Sequence, residues 1–376
     1  MTARGADVVV VGGGIAGAST AFALALGGAS VTVIDAARRG SATAAGAGII
    51  APWSSPDAGD LYELSSLGAA HYATLMEQLA DVDAGATGYR RSGALVVNGD
   101  VAVVDEVERR VRARAASTPT IGKIERVDSA EARELFPPLA EGLDGLFIEG
   151  GARVDGRLLC QALLDGAVRL GANIVEGSAT LQRAREGMNV IVDGLPVGAD
   201  SIVIAGGAWT RELLSNVSIS IGLAPQRGQI IHLRMDRVET SRWPSVLPMS
   251  GHYMLAFDDS RVVVGATRET GSGFDPRVTA AGQHHVLTKA LGLAPKLADA
   301  TVIETRVGLR PMPDKGLPFI GPIADHDRVF VATGFGANGL TIAPYVGQLL
   351  AELILTDRSL VALTPFEIGR SPATCS

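Results

Sequence analysis

The stretch "DVVVVGGGIAGASTAFALALGGASVTVID", Asp7 to Asp35, holds 27 uncharged residues between two acids. A bilayer needs only about 20 apolar residues, so length alone allows a membrane span. The glycines argue otherwise. Four valines run straight into Gly12, Gly13 and Gly14, with Gly17 next and Gly27-Gly28 closing the segment. Val8 to Val11 reads as a buried strand and Ile15 to Leu26 as a small-residue helix. Gly27-Gly28 ends that helix, and Val31 to Ile34 is a second strand. The segment lacks the cleavage site of a signal peptide. It therefore reads as a β-α-β unit with glycine at its first turn, not as an integral membrane segment.

The rest of the composition fits a globular chain. Of 376 residues, 47% are hydrophobic and 19% charged, enough to bury a large core in about two domains. The net charge of −7 and the lack of a long basic run argue against nucleic acid as a partner. Cys160 and Cys375 are the only cysteines, which suggests a cytoplasmic chain with reduced thiols. The chain holds 4 Lys against 29 Arg, a bias of GC-rich bacterial genomes. None of the six histidines has a metal-ligand spacing, so no metal is expected.

Strand and helix patterns alternate along most of the chain, which predicts an α/β fold. A helix is expected over about Leu61 to Leu79 and another over about Ala280 to Leu291. From Arg227 to Val264 the pattern turns β-rich, with "GQIIHLRM", "GHYMLAF" and "SRVVVGAT". Near Thr301 the first kind of pattern returns, and "RVFVATGFGANGLTIAPYVGQLLAELIL" reads as strand, glycine turn, helix. The expected organisation is a discontinuous Rossmann-like nucleotide-binding domain (1–85, 150–215 and 305–376) with an inserted antiparallel-sheet domain (86–149 and 216–304).

Gly12, Gly14 and Gly17 form a G-x-G-x-x-G pattern between a strand and a helix, the context that gives this pattern meaning. Gly12 allows the tight turn, Gly14 lets backbone approach a pyrophosphate, and Gly17 lets the helix pack on the strand. Ile15 and Ala16 open the helix, whose free N–H groups favour phosphate. Asp35, followed by Ala36, ends the second strand, where a carboxylate accepts from ribose hydroxyls. The fingerprint leaves NAD(P) and FAD both open. Three more stretches favour a cofactor gripped at both ends: "SATAAGAGII" (Ser41 to Ile50), "ADSIVIAGGAW", and "ATGFGANGLT", a second glycine turn that opens a helix.

These stretches, with "GLRPMPDKGLPFIGP", stand in the order found in the FAD-dependent D-amino-acid oxidase (DAO) superfamily, and nearly the whole chain resembles it. The nearest likeness is to the glycine oxidase and D-amino-acid dehydrogenase branch. The resemblance implies a two-domain flavoprotein that oxidises an amine next to a carboxylate. It makes Thr43, Ala47, Gly48 and Ile49 the loop over pyrophosphate and flavin. Thr180 becomes a backbone neighbour of adenine. Gly336, Ala337, Asn338, Gly339, Leu340 and Thr341 form the turn at the flavin's pyrimidine edge. Arg310 matches the family's carboxylate-binding arginine, and Tyr253 a pocket tyrosine. Family members often carry His where this chain has Phe335. Ala337 stands where some glycine-oxidising members carry a charge, and Arg268 where they carry an apolar pocket residue. These departures count against glycine itself; a second arginine suits a larger or more acidic substrate. No cysteine lies where sarcosine-oxidase relatives attach flavin, which implies non-covalent FAD.

The implied reaction is hydride transfer from substrate Cα–H to flavin N5. The resulting imine hydrolyses to a keto acid and an amine or ammonia. It requires no catalytic residue beyond the flavin, and no general base is nominated. Tyr253 is either a pocket residue or core packing, and His252 faces the other side of the sheet. Trp209 is expected near the cofactor, and Trp53 is a candidate for the border of the site. An NAD(P)-dependent dehydrogenase is the alternative outside the family, and a D-amino-acid dehydrogenase with a non-oxygen acceptor the alternative inside it. The substrate stays open among a D-amino acid, glycine, sarcosine, a cyclic imino acid and an N-carboxymethyl amine. The electron acceptor, O2 or another, and a homo-oligomeric state are open as well.

Overall fold

The computed structural model describes residues 7–184, 187–326 and 328–368. Cys375, and with it any disulfide, lies outside them. Its first sheet has six strands, ordered Phe319–Pro322, Val329–Thr333, Ser201–Ile204, Asp7–Val11, Ser30–Asp35 and Asn173–Glu176. All neighbours are parallel except the Phe319–Pro322 edge. Successive side chains of a strand point to opposite faces. Val8 and Val10 accordingly join a core with the helices Ile15–Leu26, Gly156–Arg169 and Gly339–Thr356. Val9 and Val11 face a three-stranded sheet, Ala179–Arg183, Met188–Val192 and Leu195–Val197. The helices sit close because their contact residues are small. A Cβ on Gly347 would lie 2.5 Å from the Ser19 carbonyl carbon. Among the described residues one helix, Gly339–Thr356, is long and apolar enough to cross a membrane, and here its length packs against Ile15–Leu26 and Gly59–Asp81.

Chain order along the first sheet reverses between Asp7–Val11 and Ser201–Ile204. Crevices at such switch points, beyond the carboxyl ends of the strands, are where open α/β sheets hold ligands. The two strand ends touch: a Cβ on Gly12, whose φ is +110°, would lie 2.4 Å from the Ala205 carbonyl oxygen.

The second sheet has nine strands. It joins Ala94–Asn98, Ile124–Val127 and Asp144–Ile148 to the strands between Leu223 and Thr270. It is the expected antiparallel sheet, with one parallel pair where Ser245–Leu247 runs beside Ala94–Asn98. The boundary near residue 305 is corrected. Thr301–Pro313 is a 13-residue strand paired along Leu223–Arg234, so it belongs to this second sheet. The return to the first sheet begins at Phe319. The long strand runs the depth of the second sheet and delivers Arg310 near its end.

A polar joint ties the second sheet to the strand Ala152–Arg153 and the start of the helix Gly156–Arg169. Buried Arg153 pairs with Asp258, and Arg261 pairs with Asp155 at 2.9 Å. Both guanidiniums lie over the Phe257 ring, 4.6 and 4.2 Å from its centroid. Cation–π attraction strengthens as such a site loses water.

Candidate active site

A cavity of about 590 Å³ opens at the switch point and extends to the second sheet. That is within the range of cofactor and ligand pockets. Of the residues expected to hold cofactor, Gly12, Gly14, Ile15, Ala16, Asp35, Ala36, Thr43, Ala47, Gly48, Ile49 and Thr180 line it, and so does every residue from Gly336 to Thr341. Arg310, Tyr253 and Arg268 line it as well. Gly17 does not, for a physical reason: its Cβ would fall 1.8 Å from the Gly12 carbonyl oxygen. Its part is packing of helix on turn.

The first helix begins with Gly14 as N-cap, which has no side chain to cap it. Thr43 takes that role from 28 residues away, its Oγ1 accepting the Ile15 N–H at 2.9 Å. The turn and the small-residue loop are thereby held together. Replacing Thr43 with Val removes the acceptor and leaves a buried N–H unpaired, at a cost of about 1 kcal/mol. We expect Thr43→Val to weaken FAD binding about fivefold, measured by flavin fluorescence titration of apoprotein, with Thr43→Ser near wild type.

Asp35 lies over the turn: a Cβ on Gly13 would meet its Oδ2 at 2.7 Å. Gly13 also accepts a hydrogen bond from the Cys160 thiol at 3.2 Å. Burial, with Asp35 adding to it, pushes that thiol up to about 12, so it stays protonated and acts as a donor to the turn. Trp209 also borders the cavity, stacked on Phe274 and facing Arg38. Trp53 does not border it. It is 2% exposed and belongs to the core beneath the helix Val101–Ala115, which corrects its candidacy for the site. Residues Ala51 and Pro52 reach the cavity instead.

From the second sheet, Arg310 donates to the Thr267 carbonyl at 3.0 Å and lies within hydrogen-bonding reach of the Tyr253 hydroxyl. Burial lowers the Arg310 pKa, and Tyr253 opposes that shift. Burial raises the Tyr253 pKa, against the pull of Arg310 and Arg268. Tyr253 is thus a pocket residue, while His252 on the other face meets the ring of His285, 5.1 Å away. Arg310 can lie flat because its neighbour is glycine: a Cβ on Gly228 would sit 2.4 Å from its terminal nitrogens. Arg268 is exposed, beside Gly251. Neither Arg268 nor Arg310 forms an ion pair among the described residues.

Sequence reasoning missed the support behind Arg310. Thr267 Oγ1 donates to Glu269 at 2.7 Å and accepts the Gln229 N–H at 2.9 Å, and Gln229 in turn donates to Glu269 at 2.7 Å. Arg227 then neutralises Glu269 at 2.6 Å. These residues are neighbours through strand pairing, and no local pattern marks them. Among the described residues no cluster of three His, Cys, Asp or Glu could hold a metal.

Residues of this chain fit FAD at both ends. The first glycine turn lines the cavity with bare backbone at Gly12, Gly13 and Gly14, and the second glycine turn brings another helix start to the same cavity. Amides in a helix's first turn have no intrahelical acceptor and favour electron-rich groups. A fold and cavity of this kind define a dinucleotide flavoprotein. Residues 7–353 match the family model described as FAD dependent oxidoreductase (DAO). The uncharacterized oxidoreductase YurR of Bacillus subtilis is 42% identical, over 96% of this chain and 97% of its own. Among solved structures, iminodiacetate oxidase from Chelativorans sp. BNC1 is 45% identical with a TM-score of 0.94, covering 96% of this chain and 98% of its own. Glycine oxidase from Geobacillus kaustophilus is 27% identical with a TM-score of 0.87, covering 98% and 99%. The chain belongs to the DAO family of FAD-dependent oxidoreductases, in its glycine-oxidase-like branch, and is an enzyme that uses FAD.

Proposed function

We propose that this enzyme oxidises an amine whose α-carbon bears a carboxylate, an amino acid or N-substituted glycine. Its preferred substrate carries a second acid group, as an iminodicarboxylate does. One observation carries the reading: Arg310 and Arg268 both line the cavity, and neither forms an ion pair among the described residues. A guanidinium is a planar fork that matches a carboxylate with two bonds. Arg310, half-buried and braced by Thr267 and Tyr253, takes the carboxylate next to the reacting carbon. Arg268, exposed, takes the distal one. Likeness to an iminodiacetate oxidase and to glycine oxidase supports both halves of this reading.

When bound, FAD supplies the acceptor for the hydride that leaves the substrate's Cα. The chain binds and orients. Arg310 sets where the carboxylate lies, and so where the Cα–H points. The amine reacts neutral, and the imine product hydrolyses to a keto acid and an amine. FAD is held without a covalent bond, in a lobe built from the described residues of 7–85, 150–215 and 314–368. Dioxygen is the proposed final acceptor, and the cytoplasm the proposed location.

Anaerobic flavin reduction across iminodiacetate, sarcosine, glycine, D-alanine and D-proline tests the reading. We expect iminodiacetate to give the highest kcat/KM. Arg268→Ala should lower that value about 10- to 100-fold, the worth of a charge-assisted hydrogen bond, and leave sarcosine within about threefold. An equal loss on both substrates would remove Arg268 from distal recognition, and no reduction by any of them would overturn the amine chemistry.

A further inference from the structure

The C-terminal helix, Gly339–Thr356, contains Pro344 in its first turns. Proline has no N–H, so the carbonyl four residues earlier loses its helical partner. That carbonyl belongs to Leu340, in the glycine turn that lines the cavity. Tyr72, 0% exposed on the helix Gly59–Asp81, donates its hydroxyl to the Leu340 oxygen at 2.5 Å. Its ring is fixed by stacking on Tyr89, with centroids 5.2 Å apart. One turn earlier on the same helix, a Cβ on Gly68 would meet the Thr341 oxygen at 2.3 Å. Residues four apart share a helix face, so Gly68 and Tyr72 together seat one helix against the start of the other.

We propose that Tyr72 is a positioning residue for the flavin: its hydroxyl replaces the hydrogen bond that Pro344 removes, and so fixes the turn whose amides meet the cofactor. The inference rests on the assignment of residues 337–341 to the flavin. The helix start is thereby relieved of one internal bond, and its aim is set from outside by a buried phenol. High burial raises the Tyr72 pKa well above the usual phenol range, so the hydroxyl remains a donor throughout the working pH range.

A double-mutant cycle tests this. Tyr72→Phe keeps the ring and removes only the hydroxyl. Pro344→Ala returns an N–H to the Leu340 carbonyl. In the full chain, Tyr72→Phe should weaken FAD binding by apoprotein about tenfold, the scale for orphaning one partner of a buried hydrogen bond, and should shift the visible flavin bands. Pro344→Ala alone should stay within about twofold. The double variant should recover to within about threefold of wild type and restore the bands. If Tyr72→Phe fails to fold, Pro344→Ala should restore folding. A double variant as impaired as Tyr72→Phe would overturn the proposal. So would coupling seen in melting temperature while FAD affinity and spectrum stay unmoved. Absence of flavin binding in wild type would instead fault the cofactor site itself.

Discussion

Arg310→Ala should lower kcat/KM at least a hundredfold while FAD binding stays at its wild-type value. Two charge-assisted hydrogen bonds to a carboxylate amount to about 3–6 kcal/mol, and truncation removes both. The loss should appear first in KM, because the anchor binds substrate before reaction. It should then appear in kcat, because an untethered Cα–H no longer faces the acceptor. Arg310→Lys keeps the charge but offers no planar fork, and it loses the geometry that lets Arg310 reach the Thr267 carbonyl. A recovery of about tenfold is expected from it. Steady-state kinetics with flavin content measured in parallel checks the prediction, and unchanged kinetics in both variants would take Arg310 out of the site.

Gly17→Ala should yield a colourless, destabilised protein. Alanine is favoured over glycine in a helix by about 1 kcal/mol, so propensity alone predicts stabilisation. The geometry overrules it. The added methyl would sit 1.8 Å from the Gly12 oxygen and 3.2 Å from a Val10 methyl, and backbone yields little. Overpacking of this kind costs about 1–3 kcal/mol or more, and relief here means lifting the helix off the turn. FAD retention after purification and a thermal melt report the two effects. A yellow variant with wild-type melting would show that the turn tolerates the shift.

Much of this was legible because it is local. Ile15–Leu26 is bounded by glycines on both sides, and the expected helix matches the observed one. The two glycine turns, a few hundred residues apart, could be read as paired only because their motifs occur in a recognisable order. What stayed hidden depends on pairing across the chain. Thr301–Pro313 mixes polar and apolar residues without regular alternation, and nothing in it says which sheet it joins. Thr43 capping a distant helix, Thr267 bracing Arg310 and Tyr72 substituting for a proline's missing amide are likewise meetings of residues far apart in sequence. Trp53 directly follows a cavity residue, Pro52, and only the three-dimensional path shows it turning inward.

The bare strand beneath Arg310 has a bearing on how such an enzyme changes its diet. Because Gly228 offers no side chain, the guanidinium proposed to hold the acid lies close over main chain. A guanidinium is the loose end of its side chain and yields more readily than backbone. Bulk acquired at position 228 would therefore raise the anchor and shorten the space above it. With Arg310 in its proposed role, substrate length can in this way drift through position 228, where the cavity is lined by bare backbone.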